Sequence, residues 1–327
     1  KGERKFFNDN LGLSFGFRFD ADTFSEGSSL MDNFSPRLSL TYNLTEDQTW
    51  KMNASVGRYY KIPTYTMLGY QDNLRTFINQ KAKYTQSDHF VMGIEYAPGN
   101  ASRVTLEGFY KKYSQYPISL IDGVSIANKG GDFEVLGNEA IATDGRGKSY
   151  GIEALYQQKL TKNFYGVFAY TYFHSQFTTA TGDYLPSVWD SRHLISFSGG
   201  YKLKRNWEIS ARWRFSGKTP YVPVDQIASL SAYPEIVLDY NQLGNVKLDP
   251  FNLADIRFDK KWNFKRYAFN FYFEIQNFLA QAVPRPEEYG LNRSETGALI
   301  LPRSLVKVNT DENNNIPIPT FGFVVDF

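Results

Sequence analysis

Long stretches of this chain alternate strictly, every second side chain large and apolar and many of those between fully charged. Tyr267, Phe269, Phe271, Phe273 and Ile275 fall on one face of an extended backbone, with Asn270, Glu274 and Gln276 on the other. Trp207, Ile209, Ala211, Trp213 and Phe215 oppose Glu208, Ser210, Arg212, Arg214 and Ser216 in the same way, and Leu11, Leu13, Phe15, Phe17 and Phe19 oppose Gly12, Ser14, Gly16, Arg18 and Asp20. Period two is the signature of β-strands with two unlike faces. No stretch has the 3.6-residue period of an amphipathic helix, so the expectation is an all-β chain.

The alternating runs predict about twelve strands, at 11–20, 33–44, 48–60, 84–97, 100–115, 146–160, 162–177, 190–204, 206–217, 252–263, 266–279 and 319–327. Each is near or above the roughly 9–11 residues that a tilted strand needs to cross a bilayer. Short turns at Thr45 to Gln48, Pro98 to Gly99, around Thr161, around Arg205 and at Phe264 to Lys265 alternate with long connections at 21–32, 61–83, 116–145, 178–189, 218–251 and 280–318. Soluble sandwiches mix loop lengths at both ends and use shorter strands. Short turns at one rim and long loops at the other are the pattern of an antiparallel up-and-down transmembrane β-barrel. Aromatics near strand ends, at Tyr59, Tyr60, Tyr110, Tyr170, Tyr172, Trp189, Tyr201, Trp207 and Trp262, stand where membrane girdles would lie.

Composition narrows the function. The 327 residues carry 36 Lys+Arg against 34 Asp+Glu, which speaks against a nucleic-acid binder. With no cysteine, disulfides and thiol or Cys-metal chemistry are excluded from this chain. The longest run free of acids and bases, Asn163 to Gly182, is broken by polar residues and is β-prone, so a transmembrane helix is not expected. Lys1 to Asn10 is charged and does not read as a signal peptide; the chain is expected to start as a mature protein or an internal fragment.

The final run, Phe321, Gly322, Phe323, Val324, Val325, Asp326 and Phe327, resembles the C-terminal strand of bacterial outer-membrane proteins. That resemblance implies an assembly signal, Phe321, Phe323, Val325 and Phe327, read by the barrel-assembly machinery. A wider resemblance runs in order through Phe34 to Leu40, Val56-Gly57-Arg58-Tyr59-Tyr60-Lys61-Ile62-Pro63, Gln86 to Tyr96, Gly147 to Glu153, Gly217-Lys218-Thr219-Pro220-Tyr221, Asp255 to Trp262 and Glu274-Ile275-Gln276-Asn277. Together these segments resemble the C-terminal part of the barrel of TonB-dependent receptors of Bacteroidetes type. The resemblance implies that residues 1–327 form the last part of a roughly 22-stranded outer-membrane barrel, with the plug and first strands outside this chain. It implies energised uptake of a scarce small-molecule ligand such as a ferric siderophore or other metal chelate, with TonB acting through the plug. Oligosaccharide importers of the SusC type differ in their C-terminal region, and a surface lipoprotein partner stays open.

Charged residues on the polar faces, Arg18, Arg37, Lys51, Glu95, Glu107, Glu153, Arg212, Arg214, Asp255, Arg257, Asp259 and Glu274, are expected to line the lumen, since each would cost about 2–4 kcal/mol against lipid near the midplane. Within the family such residues would face the plug; a plain water-filled wall is the competing reading. Ligand-binding candidates in the long loops are Tyr60, Tyr65, Tyr70, Arg75, Arg146, Tyr184, Trp189, Tyr221, Tyr233, Arg285, Tyr289 and Arg293, because aromatic faces stack on ligands and Arg grips anions. If residue 177 pairs with 190, His174 lies opposite His193 as a weak candidate metal pair, with Asp183 and Asp190 nearby; a structural pair is the commoner outcome. No cofactor is implied. Gly145-Arg146-Gly147-Lys148 opens a strand, not a helix, and no nucleophile elbow is present, so an enzyme is not expected. A passive porin-like or structural barrel is the alternative, and a soluble all-β surface-binding protein ranks below both.

Overall fold

The computed structural model describes residues 2–26, 29–129, 136–308 and 315–327. Sixteen strands follow in order: β1 (Gly2–Phe6), β2 (Leu11–Arg18), β3 (Ser35–Asn43), β4 (Trp50–Lys61), β5 (Thr85–Tyr96), β6 (Ser102–Ser119), β7 (Ile141–Thr161), β8 (Phe164–Thr178), β9 (Tyr184–Pro186), β10 (His193–Leu203), β11 (Trp207–Ser216), β12 (Phe251–Asn263), β13 (Ala268–Gln276), β14 (Tyr289–Leu291), β15 (Leu305–Lys307) and β16 (Ile318–Asp326). Thirteen of them form one antiparallel meander, β1 to β8, then β10 to β13, then β16, each paired with its neighbour in sequence. The edges, β1 and β16, are not paired with each other, so the wall is open.

All twelve expected strands are present within a few residues of their predicted limits. The alternation missed β1, because Gly-Glu-Arg-Lys-Phe offers one large apolar side chain and no visible period. It also missed β9, β14 and β15, three-residue strands inside the long connections, which are too short for a period to register. The sheet therefore holds thirteen sequential strands, not twelve, and β1 descends to the short turn at 7–10.

Register assigns every residue of the wall to one of two faces. Phe15 pairs with Leu38, Leu38 with Val56, Val56 with Phe90, Phe90 with Tyr110 and Tyr110 with Tyr150, an unbroken apolar row across β2 to β7. Among the described residues nothing covers this face: Phe15 is 58 % exposed, Met92 60 % and Ile152 53 %. A soluble protein buries such a face. The fully buried apolar residues lie elsewhere, chiefly under the long connections, as with Met67, Leu68, Ile118, Val124, Ile126 and Leu243. Among the described residues the sheet has no second layer, and the uncovered band fits a hydrocarbon solvent.

The height of the band follows from the strand pitch. On β7 the outward positions run Tyr156, Ala154, Ile152, Tyr150, Lys148. Eight residues at about 3.3 Å each, tilted by about 40°, separate Tyr156 from Lys148 by about 20 Å along the barrel axis. This matches an outward apolar band about 25 Å tall. Trp50, Tyr96, Tyr156, Tyr201, Trp207 and Trp262 edge it on the short-turn side and Tyr110 and Tyr150 on the side of the long loops, whereas Tyr170 and Tyr172, paired with Ala154 and Ile152, lie within it.

The described parts of the connections 62–84 and 120–140 are tied to each other. Asn79, 3 % exposed, donates to the carbonyls of Met67 (2.8 Å) and Glu139 (2.7 Å) and accepts from the amide of Ile141 (3.0 Å), stitching connection 62–84 to connection 120–140. Lys129 reaches Glu139 at 2.8 Å and Asp122 at 2.7 Å, and Ser119 donates to the same Glu139 carboxylate. The helices α1 (Tyr65–Leu68) and α2 (Gln226–Ala232) lie in the long connections, α2 capped by the Asp225 side chain accepting from the amides of Ile227 and Ala228.

Candidate ligand-facing wall

The other face of the sheet is polar. Register places Arg18, Arg37, Lys51, Glu95, Glu107, Glu153, Arg212, Arg214, Asp255, Arg257, Asp259 and Glu274 all on it, opposite the apolar band. Its charges are ordered by height. Towards the short turns, Arg257 forms a bidentate pair with Asp259 (2.8 Å and 2.8 Å), approaches Glu274 at 4.0 Å and lies 4.0 Å over the Tyr272 ring. Asn270 adds a bond to Asp259 at 3.1 Å. This end of the wall satisfies its own charges.

At mid-height, Glu107 and Glu153 are direct cross-strand partners on β6 and β7. Neither makes an ion pair among the described residues. Like charges in that position repel, and Glu107 relieves part of the strain by folding over Gly93, where a Cβ would come within 2.5 Å of its Cγ.

Nearer the long connections the wall turns basic and aromatic. Arg37, Gly57, His89 and Lys111 form one register row across β3 to β6. Tyr59 bends down onto Gly57, where an added Cβ would meet its ring at 3.1 Å and Arg37 at 3.3 Å, so a side chain here would push one of them aside. The Arg37 guanidinium lies 4.3 Å over Tyr59, and the Tyr59 and His89 rings approach to 4.5 Å. His89 shares a hydrogen bond with Ser87 at 2.7 Å. One step higher, Tyr113, Tyr116 and Phe177 close into a cluster with centroids 4.4 to 6.1 Å apart, Phe177 lying over Gly147. The bulge at Gln115, with φ of 55°, turns Tyr116 back to this face. Arg37 and Lys111 thus present two cations, with the His89 imidazole between them, among four aromatic rings and with no carboxylate in their row. His89 and Tyr59 were not singled out as ligand residues from sequence, although both share the parity of Arg37 and Glu95 along their strands.

The loop candidates scatter. Tyr60 is on β4 with its ring on the apolar side, donating to Gln86 at 3.1 Å; Arg146 is an exposed β7 residue of the same outward parity. Tyr65 (83 % exposed) and Trp189 (68 %) project freely. Tyr70 and Arg75 sit in the turns that follow α1, and Arg293 is spent on its own turn, bonding the Gly297 carbonyl at 2.8 Å. Tyr184 on β9 lies 4.5 Å under the Lys148 ammonium, Tyr233 is partly exposed after α2, and Arg285 is exposed. Tyr289 belongs to a cluster around Glu287, in which Tyr221 takes no part by hydrogen bond: Tyr289 donates to Glu287 at 2.7 Å, Lys307 binds it at 2.7 Å and Gln226 donates to Tyr289 at 3.2 Å. The bond from Lys307 and that from Tyr289 hold the Glu287 carboxyl below its usual range.

The expected histidine pair does not form. His193 pairs with Tyr172, not with His174, because the register between β8 and β10 is two residues away from the assumed one. Short β9 pairs back on β8, and Arg192 takes a positive φ of 66°, which shifts the return strand. The Tyr172 ring stands near both imidazoles, at 5.5 and 5.2 Å. His174 Nε2 lies 2.7 Å from the Arg192 guanidinium, which also contacts the buried Asp190 at 3.3 Å. Among the described residues no group of three or more His, Asp or Glu side chains could hold a metal.

Comparison with known proteins agrees with this geometry. The family model described as TonB dependent receptor-like, beta-barrel, matches residues 3–278. No curated protein matches. Among solved structures, the ferripyoverdine receptor of the Pseudomonas aeruginosa outer membrane is 15 % identical with a TM-score of 0.59, covering 98 % of this chain and 37 % of that one. The outer membrane transporter YddB from Escherichia coli is 14 % identical with a TM-score of 0.58, covering 97 % and 43 %. The FrpB iron transporter from Neisseria meningitidis is 14 % identical with a TM-score of 0.56, covering 97 % and 44 %. The chain spans about two fifths of the length of these structures, and the likeness is one of fold. With its uncovered apolar band, its charged opposite face and a family match over most of its length, this chain belongs to the β-barrel family of the TonB-dependent receptors.

Proposed function

We propose that residues 1–327 form the distal wall of an outer-membrane barrel that imports a scarce ligand, with the long connections outside the cell and the short turns in the periplasm. The single observation that carries the reading is the basic and aromatic row Arg37, Tyr59, His89 and Lys111, set on the lumen side just below the long connections. Cations grip anionic chelates and the rings stack on their planar groups. The ligand class this wall suits best is an anionic metal chelate such as a ferric siderophore. Exposed Tyr65 and Trp189 would make first contact from the loops.

The mid-height pair Glu107 and Glu153 supports a plug. Two adjacent carboxylates without a cation call for one from a domain seated in the lumen. Force from TonB on that plug would then open the path. Phe321, Phe323 and Val325 extend the apolar face beside Phe273, Phe271 and Phe269, as an assembly signal ending in Phe327 should.

The test is uptake of radioactive iron by cells expressing the full-length receptor, offered as ferric hydroxamate, ferric catecholate and ferric citrate, with TonB present or deleted. The reading expects accumulation of at least one chelate that vanishes without TonB. Entry that persists without TonB would make the barrel a passive pore.

A further inference from the structure

One row on the apolar side has no part in the import just described. At the upper edge of the band, register aligns Arg58, Asp88, Lys112, Lys148 and Gln176 across five strands, β4 to β8. Arg58 and Asp88 neutralise each other through a bidentate pair at 2.6 and 3.0 Å. Asp88 is also the cross-strand partner of Lys112, but three cations against one acid leave the row positive at Lys112 and Lys148. They are direct cross-strand partners, so their backbones lie about 5 Å apart. Lys112 is exposed and makes no hydrogen bond among the described residues, and Lys148 rests 4.5 Å over the Tyr184 ring. Two adjacent ammonium groups on an outward face, flanked by a single carboxylate that already binds Arg58 in bidentate fashion, favour a further anion between them.

Directly beneath this pair the apolar face is grooved. One step down, Phe90, Tyr110, Tyr150 and His174 form a shelf of rings with successive centroids 6.5, 6.3 and 5.1 Å apart. A further step down, Gly108 lies between Met92 and Ile152 and opens a cleft. A Cβ at Gly108 would meet nothing closer than 4.0 Å, so the cleft is open space on the band. From Lys112 to Gly108 is four residues, about 13 Å along the strand. That is the reach from a lipid's phosphate into its acyl chains.

We infer that β5 to β8 seat a phosphorylated lipid of the external leaflet, its phosphate between Lys112 and Lys148 and an acyl chain in the cleft over Gly108. The inference rests on the proposed orientation, long connections outside. Charge complementarity selects the headgroup: two cations at the level where headgroups lie favour an anionic lipid over a zwitterionic one. The aromatic shelf marks the boundary between the two parts of that molecule.

The experiment extracts the full-length receptor from outer membranes in mild detergent, separates it from free lipid by size exclusion and counts retained phosphorylated lipid per barrel by mass spectrometry. The paired substitution Lys112→Glu with Lys148→Glu is expected to lower retention at least about tenfold. Gly108→Leu, which fills the cleft and suits a lipid-facing position, is expected to lower it with both charges intact. Lys260→Glu is the control: Lys260 lies at the opposite edge of the band, between the Trp207 and Trp262 rings at 5.3 and 5.5 Å, and should retain wild-type lipid. Equal retention in all forms, or equal loss in Lys260→Glu, overturns the site. Should the paired variant fail to assemble, Gly108→Leu decides alone, and wild-type retention there overturns the site as well. Labelling of Leu120→Cys on intact cells with an impermeant thiol reagent checks the orientation separately. If that residue is shielded from outside while lipid loss follows the variants, the orientation falls and the lipid seat stands.

Discussion

Two lysines placed at the same height on opposite faces of the wall should differ sharply in cost. Ile152 on β7 lies four residues from Lys148 and four from Tyr156, about 10 Å along the axis from each, at the centre of the apolar band. It is 53 % exposed, and only lipid can cover it. Thr171 on β8 pairs with Glu153 on the polar face, one position from the Tyr172 that pairs with Ile152. Ile152→Lys puts a charge at the bilayer midplane and should cost about 2–4 kcal/mol, a factor of roughly 30 to 900 in the folding equilibrium. Thr171→Lys puts the same charge beside Glu153 in water or against a plug, and should change stability by at most about 1 kcal/mol. The assay is equilibrium unfolding by guanidinium of the full-length receptor in lipid vesicles, followed by electrophoretic mobility and tryptophan emission. Equal costs for the two variants, or a larger cost for Thr171→Lys, would refute the assignment of faces.

Three further outcomes follow from the same geometry. Asn79→Leu strips three hydrogen bonds from a buried site and should cost on the order of 3 kcal/mol locally, read as faster proteolytic nicking in connections 62–84 and 120–140 with the strands intact. Glu107→Gln together with Glu153→Gln removes the repelling pair, so a barrel that holds its plug through these carboxylates should release it at lower denaturant, and an unchanged plug would sink that role. Acid should free the connection after β2. Burial pushes the Asp22 carboxyl up, but bonds from the Ser25 hydroxyl and amide, the Tyr84 hydroxyl and the Phe24 amide outweigh it and bring it down to about 2. A depressed carboxyl stabilises above its unfolded value near 3.8, and that contribution is lost as pH falls through about 2. Hydrogen exchange in residues 19–26 should therefore rise between about pH 4 and 2, and the rise should be absent in Asp22→Asn.

The strands of the wall were legible because a two-faced sheet writes its solvent boundaries into alternate residues. The exceptions have physical reasons. β1 is almost wholly polar, so its place in the sheet is set by pairing with β2 and not by any period of its own. The β8 to β10 register was lost to a local backbone event, positive φ at Arg192 and the β9 return, which alternation cannot report. That the twelve charged residues share one polar face was recoverable from parity alone. The basic row was not, because it depends on which residues share a height across four strands: Arg37, His89 and Lys111 are 74 residues apart at their extremes and meet only through register. Picking loop residues by type mixed outward positions such as Tyr60 with free ones such as Tyr65. Side-chain chemistry without a face assignment says little about a barrel.

The central claim is that the polar face is a lumen reached from outside the cell and the apolar face is bathed in lipid. β6 allows it to be tested at two tyrosines three residues apart, Tyr110 outward and Tyr113 inward, in a chain without cysteine. Each is replaced by Cys in the full-length receptor, and intact cells are treated with an impermeant thiol reagent or with one that partitions into the bilayer. The account predicts that Tyr113→Cys reacts with the impermeant reagent and Tyr110→Cys only with the lipid-soluble one. The opposite pattern, or reaction of both positions with the impermeant reagent, would contradict it.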